Sequence, residues 1–147
     1  MEVRTATPAD LDAVHAIYSH HVLNGLASFE EVPPQREEVA RRYREVTGQG
    51  LPWIVAQYGD RIAGYGYCAL YRSRSAYRHS LEDSIYVHHE MHGRGIGAAL
   101  LAELIRLSEA AGFLRVGTLR SVGFKFGRWV DSVIMQRPLG PGDASPP

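Results

Sequence analysis

Three glycines alternate with other residues in His92-Gly93-Arg94-Gly95-Ile96-Gly97-Ala98, between a strand-like segment ending near His88 and an amphipathic run starting near Gly95. Glycine lets a backbone come close to a ligand, and N–H groups at a helix start face outward with the helix dipole behind them. The spacing therefore predicts an anion-binding turn of the phosphate kind. Just upstream, the period of two in Leu81–His88 places Glu82, Ser84, Tyr86 and His88 on one face, with Asp83 opposite beside Leu81 and Ile85. On that face Glu82 is a carboxylate that could form a strand-end ion pair with Arg78. Gly93-x-Gly95-x-x-Ala98 also satisfies a dinucleotide-binding fingerprint. Two features argue against that reading. The link from His88 to His92 is long and charged for such a turn, and no carboxylate occurs between Glu109 and Asp131, where a ribose-binding acid about 20 residues on is needed. His88, His89 and His92 make a poor metal set, since neighbours on a strand point to opposite faces and no cysteine completes them, so no metal is expected.

These residues need elements to hold them. Val3–Ala6 reads as a short strand, and Thr7-Pro8-Ala9-Asp10 combines an N-cap residue, an early proline and an early acid, which opens a helix. Leu11, Val14, Tyr18 and Val22 recur along that helix until Asn24-Gly25 closes it. A loop carrying Phe29 and Glu30 follows. The second helix, Gln35–Val46, buries Val39, Tyr43 and Val46 and puts Arg41, Arg42 and Arg44 on a solvated face. Trp53–Tyr58 and Ile62–Tyr71 flank Gly59-Asp60-Arg61 as an antiparallel hairpin. On its second strand Tyr65, Tyr67, Ala69 and Tyr71 alternate with Gly64, Gly66, Cys68 and Leu70, so one face is bare enough for close neighbours. After an Arg-rich loop and Leu81–His88, a long helix over Gly95–Ala111 carries Ile96, Leu100, Leu104 and Leu107 on its buried stripe. Leu114–Phe124 and Trp129–Gln136 form a last hairpin. Residues 1–137 constitute one domain, and 138–147 are a Pro- and Gly-rich tail.

Composition narrows the function classes. Sixteen basic residues balance sixteen acidic ones in 147, so no global field gathers nucleic acid or an anionic membrane. Cys68 is the only cysteine, which excludes an intrachain disulfide and suits a reducing compartment. No leader-like or membrane-length apolar run occurs, and the expected location is cytoplasmic.

An acidic strand, a pyrophosphate turn of Q/R-x-x-G-x-G/A type and a long amphipathic helix, in that order, resemble the acetyl-CoA motif of the GNAT N-acetyltransferases. Ile17-Tyr18, Ala27-Ser28-Phe29-Glu30, Ala76-Tyr77-Arg78, Glu82 to Val87, Gly117-Thr118-Leu119-Arg120, Gly123-Phe124-Lys125 and Gly127-Arg128-Trp129 resemble the phosphinothricin and methionine sulfoximine branch. The resemblance covers nearly the whole chain except the tail. It implies an α/β (α+β) fold, a mixed, mostly antiparallel twisted sheet flanked by helices. The implied activity is acetyl transfer from acetyl-CoA to the amino group of a small amino acid or analogue. The resemblance further implies cofactor contacts from Ile85, Tyr86 and Val87 and from His92, Gly93, Arg94, Gly95, Ile96, Gly97 and Ala98. It makes Glu82 the base and puts Phe29, Glu30, Arg74, Tyr77 and Arg78 around the acceptor. Arginines there would suit a carboxylate or phosphinate. His92 departs from the Gln or Arg of the motif. A backbone N–H near Val87 is the oxyanion candidate, since irregularity at the strand end would leave a donor unused by a neighbour.

One departure is larger. In the family a further strand and helix precede the Gly-Thr-Leu-Arg strand, whereas here Ala111-Gly112-Phe113 runs almost directly into Val116-Gly117-Thr118. Roughly 20 to 25 residues are missing, the size of one strand, one helix and short links. In the family the pantetheine arm lies where the acidic strand and that missing strand splay apart, so one wall is lost. Two repairs are open: Leu114–Arg120 moves in beside Leu81–His88, or the last hairpin pairs with another subunit in a homodimer. The competing expectation is a non-catalytic remnant of the fold that binds CoA weakly or not at all.

Overall fold

The structure is a computed structural model that describes residues 1–25, 28, 30–71, 81–110, 114–125 and 128–136, with the backbone alone for most of the last two segments. Its strands are β1 (Glu2–Thr5), β2 (Trp53–Tyr58), β3 (Arg61–Leu70), β4 (Leu81–Val87), β5 (Leu114–Lys125) and β6 (Arg128–Gln136), and its helices are α1 (Leu11–Asn24), α2 (Arg36–Gly48) and α3 (Ile96–Ala110). Two compact units result, one of Met1–Ala69 with Asp83–Ile105 and one of Leu70–Glu82 with Arg106–Pro147.

In the first unit, the turn into α1 forms as its residue types require. The Thr7 N–H and hydroxyl donate to Asp10 Oδ2 at 2.7 and 2.9 Å, and Pro8–Asp10 makes a 3-10 turn before the helix. Arg4 grips the same carboxylate with both Nη atoms, at 2.7 and 2.8 Å. The Arg4 hydrogen bonds, helped by those from Thr7, hold the Asp10 carboxyl down at about 2 despite its burial.

Four strands pair in the order β1-β2-β3-β4. β1 and β2 are antiparallel with Val3 opposite Ala56, and β2 and β3 are antiparallel with Ile54 opposite Gly66. The bare face of β3 admits α3. A Cβ on Gly64 would stand 3.1 Å from Leu100 Cδ1 and from Ile96 Cγ2, and one on Gly66 would stand 3.0 Å from Leu104 Cδ1. The opposite face is aromatic: Trp53, Tyr65 and Tyr67 stack, and Tyr86 of β4 lies 5.2 Å from Tyr65 and 5.1 Å from Tyr18 of α1, ring centre to ring centre. Cys68 is buried, as a small apolar residue would be.

In the second unit β5 and β6 pair antiparallel from Leu114 opposite Gln136 to Lys125 opposite Arg128, which matches the expected hairpin. They form a two-stranded sheet of their own, and β4 is the terminal strand of the other sheet. The expected pairing of Leu114–Arg120 with Leu81–His88 is not among the strand pairings of the described residues. Register shifts between Arg115 and Gly117 and between Leu119 and Gly123, with Ser121 at φ 55°, interrupt β5 over the stretch expected to run alongside β4. Such bulges bend a strand and end a ladder. The tail lies outside the described residues.

Candidate active site

The Gly-rich turn is built as an open cradle. Gly93 and Gly95 have φ of 76° and 77°, left-handed values that glycine adopts without strain, and a Cβ on either would meet nothing within 4 Å. Buried Met91 and Ile96 anchor the turn on either side. The first helical bond of α3 runs from the Ala99 N–H to the Gly95 carbonyl at 3.0 Å, so the N–H groups of Ile96, Gly97 and Ala98 precede the helical ladder. Open space over positive-φ glycines before a helix start fits a pyrophosphate. The Arg94 guanidinium lies 5.9 Å from the centre of the Tyr58 ring, which steers that side chain along β2.

The end of β4 is defined by two peptide groups. The His88 N–H donates to the Ala63 carbonyl at 2.9 Å, and the Tyr86 carbonyl lies over Gly64, where a Cβ would be only 2.9 Å from the oxygen. Across a trans peptide the N–H and C=O point opposite ways. Both the N–H and the C=O of Val87 therefore face away from β3, on the outer edge of the strand. His21 Nε2, from the last turn of α1, donates to the Val87 carbonyl at 2.8 Å, and His92 Nε2 reaches the same oxygen at 3.3 Å. Thus His92, expected on the cofactor, turns its ring back to β4. Nothing in the sequence points to His21, because adjacent histidines at a helix end carry no spacing signal for a partner 66 residues on.

Among the expected site residues, Glu82 is exposed near the start of β4, and Tyr86 is buried on the aromatic face. Burial, then the neighbouring Tyr67 and Tyr18, pushes the Tyr86 phenol well above its usual range, so it stays protonated. Burial also lowers the His88 imidazole, and His89 adds to the effect, which favours its neutral form. Its Nδ1 accepts from the Glu90 N–H at 3.3 Å, fixing the start of the 3-10 turn His89–Met91. Ile85 lines the α3 side against Gly66. Phe29, Arg74, Tyr77 and Arg78 lie outside the described residues.

Glu30 is placed by its neighbours: its N–H donates to Ser28 Oγ at 3.1 Å and its carboxylate accepts from Arg42 Nη2 at 2.8 Å. Arg42 corrects an expectation. Instead of a solvated face it is half-buried, bonded to Glu38 and Glu30, and it lines a small cavity with Tyr18, Val39, Trp53, Tyr65 and Tyr67. Among the described residues no helix is long and apolar enough to cross a membrane.

The model of the acetyltransferase (GNAT) family matches residues 15–124, from α1 through nearly all of β5. The chain belongs to the GNAT family. A phosphinothricin N-acetyltransferase of Alcaligenes faecalis is 44% identical over 169 positions, covering 99% of this chain and 86% of the relative. An L-methionine sulfoximine/L-methionine sulfone acetyltransferase of Salmonella typhimurium is 30% identical, with coverage of 95% of each. A crystal structure of a GNAT phosphinothricin acetyltransferase from Sinorhizobium meliloti in complex with AcCoA superimposes with a TM-score of 0.70 at 41% identity, covering 99% of this chain and 92% of that one. The 169 aligned positions exceed the 147 residues of this GNAT chain, so the Alcaligenes relative carries residues that this chain lacks. The passage from α3, ending at Ala110, to β5, starting at Leu114, is short.

Proposed function

We propose that the chain is an acetyl-CoA-dependent N-acetyltransferase acting on the amino group of a small amino acid or analogue, of the phosphinothricin or methionine sulfoximine kind. The open cradle at Gly93 and Gly95, one short turn beyond a strand whose Val87 N–H faces the outer edge, is the observation that carries this reading. Acetyl-CoA supplies an activated acyl group: the amide C–N bond forms as the thioester C–S bond breaks, and CoA leaves as a thiolate that takes up a proton. The N–H groups at the start of α3 hold its pyrophosphate, and the β4 edge at Ile85–Val87 orients the acyl end. Glu82, exposed on the strand, accepts the proton that the acceptor ammonium must lose to become a nucleophile. The Val87 N–H donates to the oxygen on which charge develops. Phe29, Glu30, Arg74, Tyr77 and Arg78 border the acceptor, with an arginine for its carboxylate. We place the enzyme in the cytoplasm, as a homodimer, with 1–137 as the catalytic domain.

A second reading has its own support in the separate β5–β6 sheet and the short passage from α3 to β5. In it the chain is a remnant that dimerises by exchanging its last hairpin onto the β4 edge, leaving no slot for an acyl arm. Calorimetric titration with acetyl-CoA, thiol-release assays on a panel of amino acids and a solution mass measurement separate the two. Micromolar binding with turnover supports the enzyme. A dimer with neither binding nor turnover supports the remnant.

A further inference from the structure

The Val87–His88 peptide is pinned at both ends. Its N–H is bonded to Ala63 of β3 and its carbonyl to an imidazole of α1, an element that meets β4 only through the folded structure. Since a carbonyl can only accept, His21 must carry its proton on Nε2. The same holds for His92 at 3.3 Å. The preceding peptide is set by Gly64, whose lack of a Cβ leaves room for the Tyr86 carbonyl, and this turns the Val87 N–H to the outer edge.

On that edge the Val87 N–H and C=O sit side by side. An acyl oxygen that approaches the donor must also approach the acceptor, whose partial negative charge opposes it. A ring N–H on the carbonyl offsets that charge and fixes the peptide plane before any ligand arrives, the conditions under which one backbone donor stabilises developing negative charge best. The His21 ring is held in turn: it lies 5.6 Å from the Tyr86 ring and 6.3 Å from the His92 ring, centre to centre.

We propose that His21 is a positioning residue for acyl transfer, acting through the Val87 carbonyl to present the Val87 N–H to the acyl oxygen. The proposal rests on the acetyltransferase reading above. It assigns to His92 a lesser share, because its bond is longer and its ring more exposed.

The test compares wild type with His21→Phe, which keeps a ring but loses the donor, and His21→Gln, whose amide N–H stands in for Nε2–H. Thiol release from acetyl-CoA is followed with an amino acid that the wild type accepts, and ADP, which carries the pyrophosphate without the pantetheine arm, is titrated separately. His21→Phe should lose about tenfold in kcat, less than the hundredfold or more for removing an oxyanion donor outright. The KM for the amine and the ADP affinity should stay within about twofold, and His21→Gln should recover most of the loss. A His21→Phe enzyme with unchanged kcat overturns the proposal, as does a His21→Gln enzyme that falls equally far. Loss of ADP binding together with activity would make the role structural and also overturn it. If His21→Phe does not fold, His21→Leu takes its place; failure of both to fold likewise makes the role structural and overturns the proposal. A wild type that acetylates no amine at all brings down the enzyme reading itself, whereas an active wild type with an indifferent His21 brings down only this proposal.

Discussion

Gly64 of β3 lies so close beneath the carbonyl of Tyr86 that a Cβ would be 2.9 Å from the oxygen, with Ile96 and Leu100 of α3 at 3.1 Å on the same side. Backbone and helix thus close on the glycine together. Gly64→Ala should destabilise by about 2 kcal/mol, through overpacking against a backbone oxygen and two side chains that are themselves fully buried. For a chain of this size that is a fall in Tm of about 4–8 °C. Gly48→Ala, at a helical position with nothing within 4 Å, should not lower Tm. Scanning calorimetry on the pair checks the contrast.

Asp10 ties the turn into α1 to β1 through Arg4. Its folded pKa of about 2 lies below the ordinary carboxyl value of 3.8, so its contribution is fully present above about pH 4 and disappears as pH falls towards 2. Asp10→Asn should therefore cost about 1–2 kcal/mol at pH 7, allowing for the partly exposed Arg4, and the gap to wild type should close on the acid side. Urea titrations at pH 7, 4 and 2.5 measure it. A gap that does not shrink with acid would refute the ionic account.

Gly95 tests the cradle. At φ 77° any L side chain is strained by about 1–2 kcal/mol, and a Cβ would project into the space read as the pyrophosphate seat. Gly95→Val should weaken acetyl-CoA binding at least tenfold in calorimetric titration. Undiminished affinity would reduce the turn to a structural role.

Glu82 is the base in the proposed reaction. Glu82→Gln keeps size and strand but cannot take a proton, so kcat should fall about a hundredfold or more. The KM for acetyl-CoA should stay within about threefold. An unchanged rate between pH 6 and 9 would remove Glu82 from the mechanism.

Local rules are enough for much of this protein. Thr7-Pro8-Ala9-Asp10 announces its turn because capping is settled within four residues, and Gly93 and Gly95 mark a positive-φ turn because few other residues tolerate it. The bare face of β3 follows from period two alone, and the resemblance to GNAT enzymes rests on such short stretches. What the sequence could not determine is where residues far apart in the chain meet. His21 and Val87 share a bond across 66 positions, and Arg42 turns inward to Glu30 although its helical neighbours Arg41 and Arg44 read the same way. The separate β5–β6 sheet belongs here too. Periodicity says that a strand must pair, but its partner depends on bulges and competing registers, which only the tertiary structure decides.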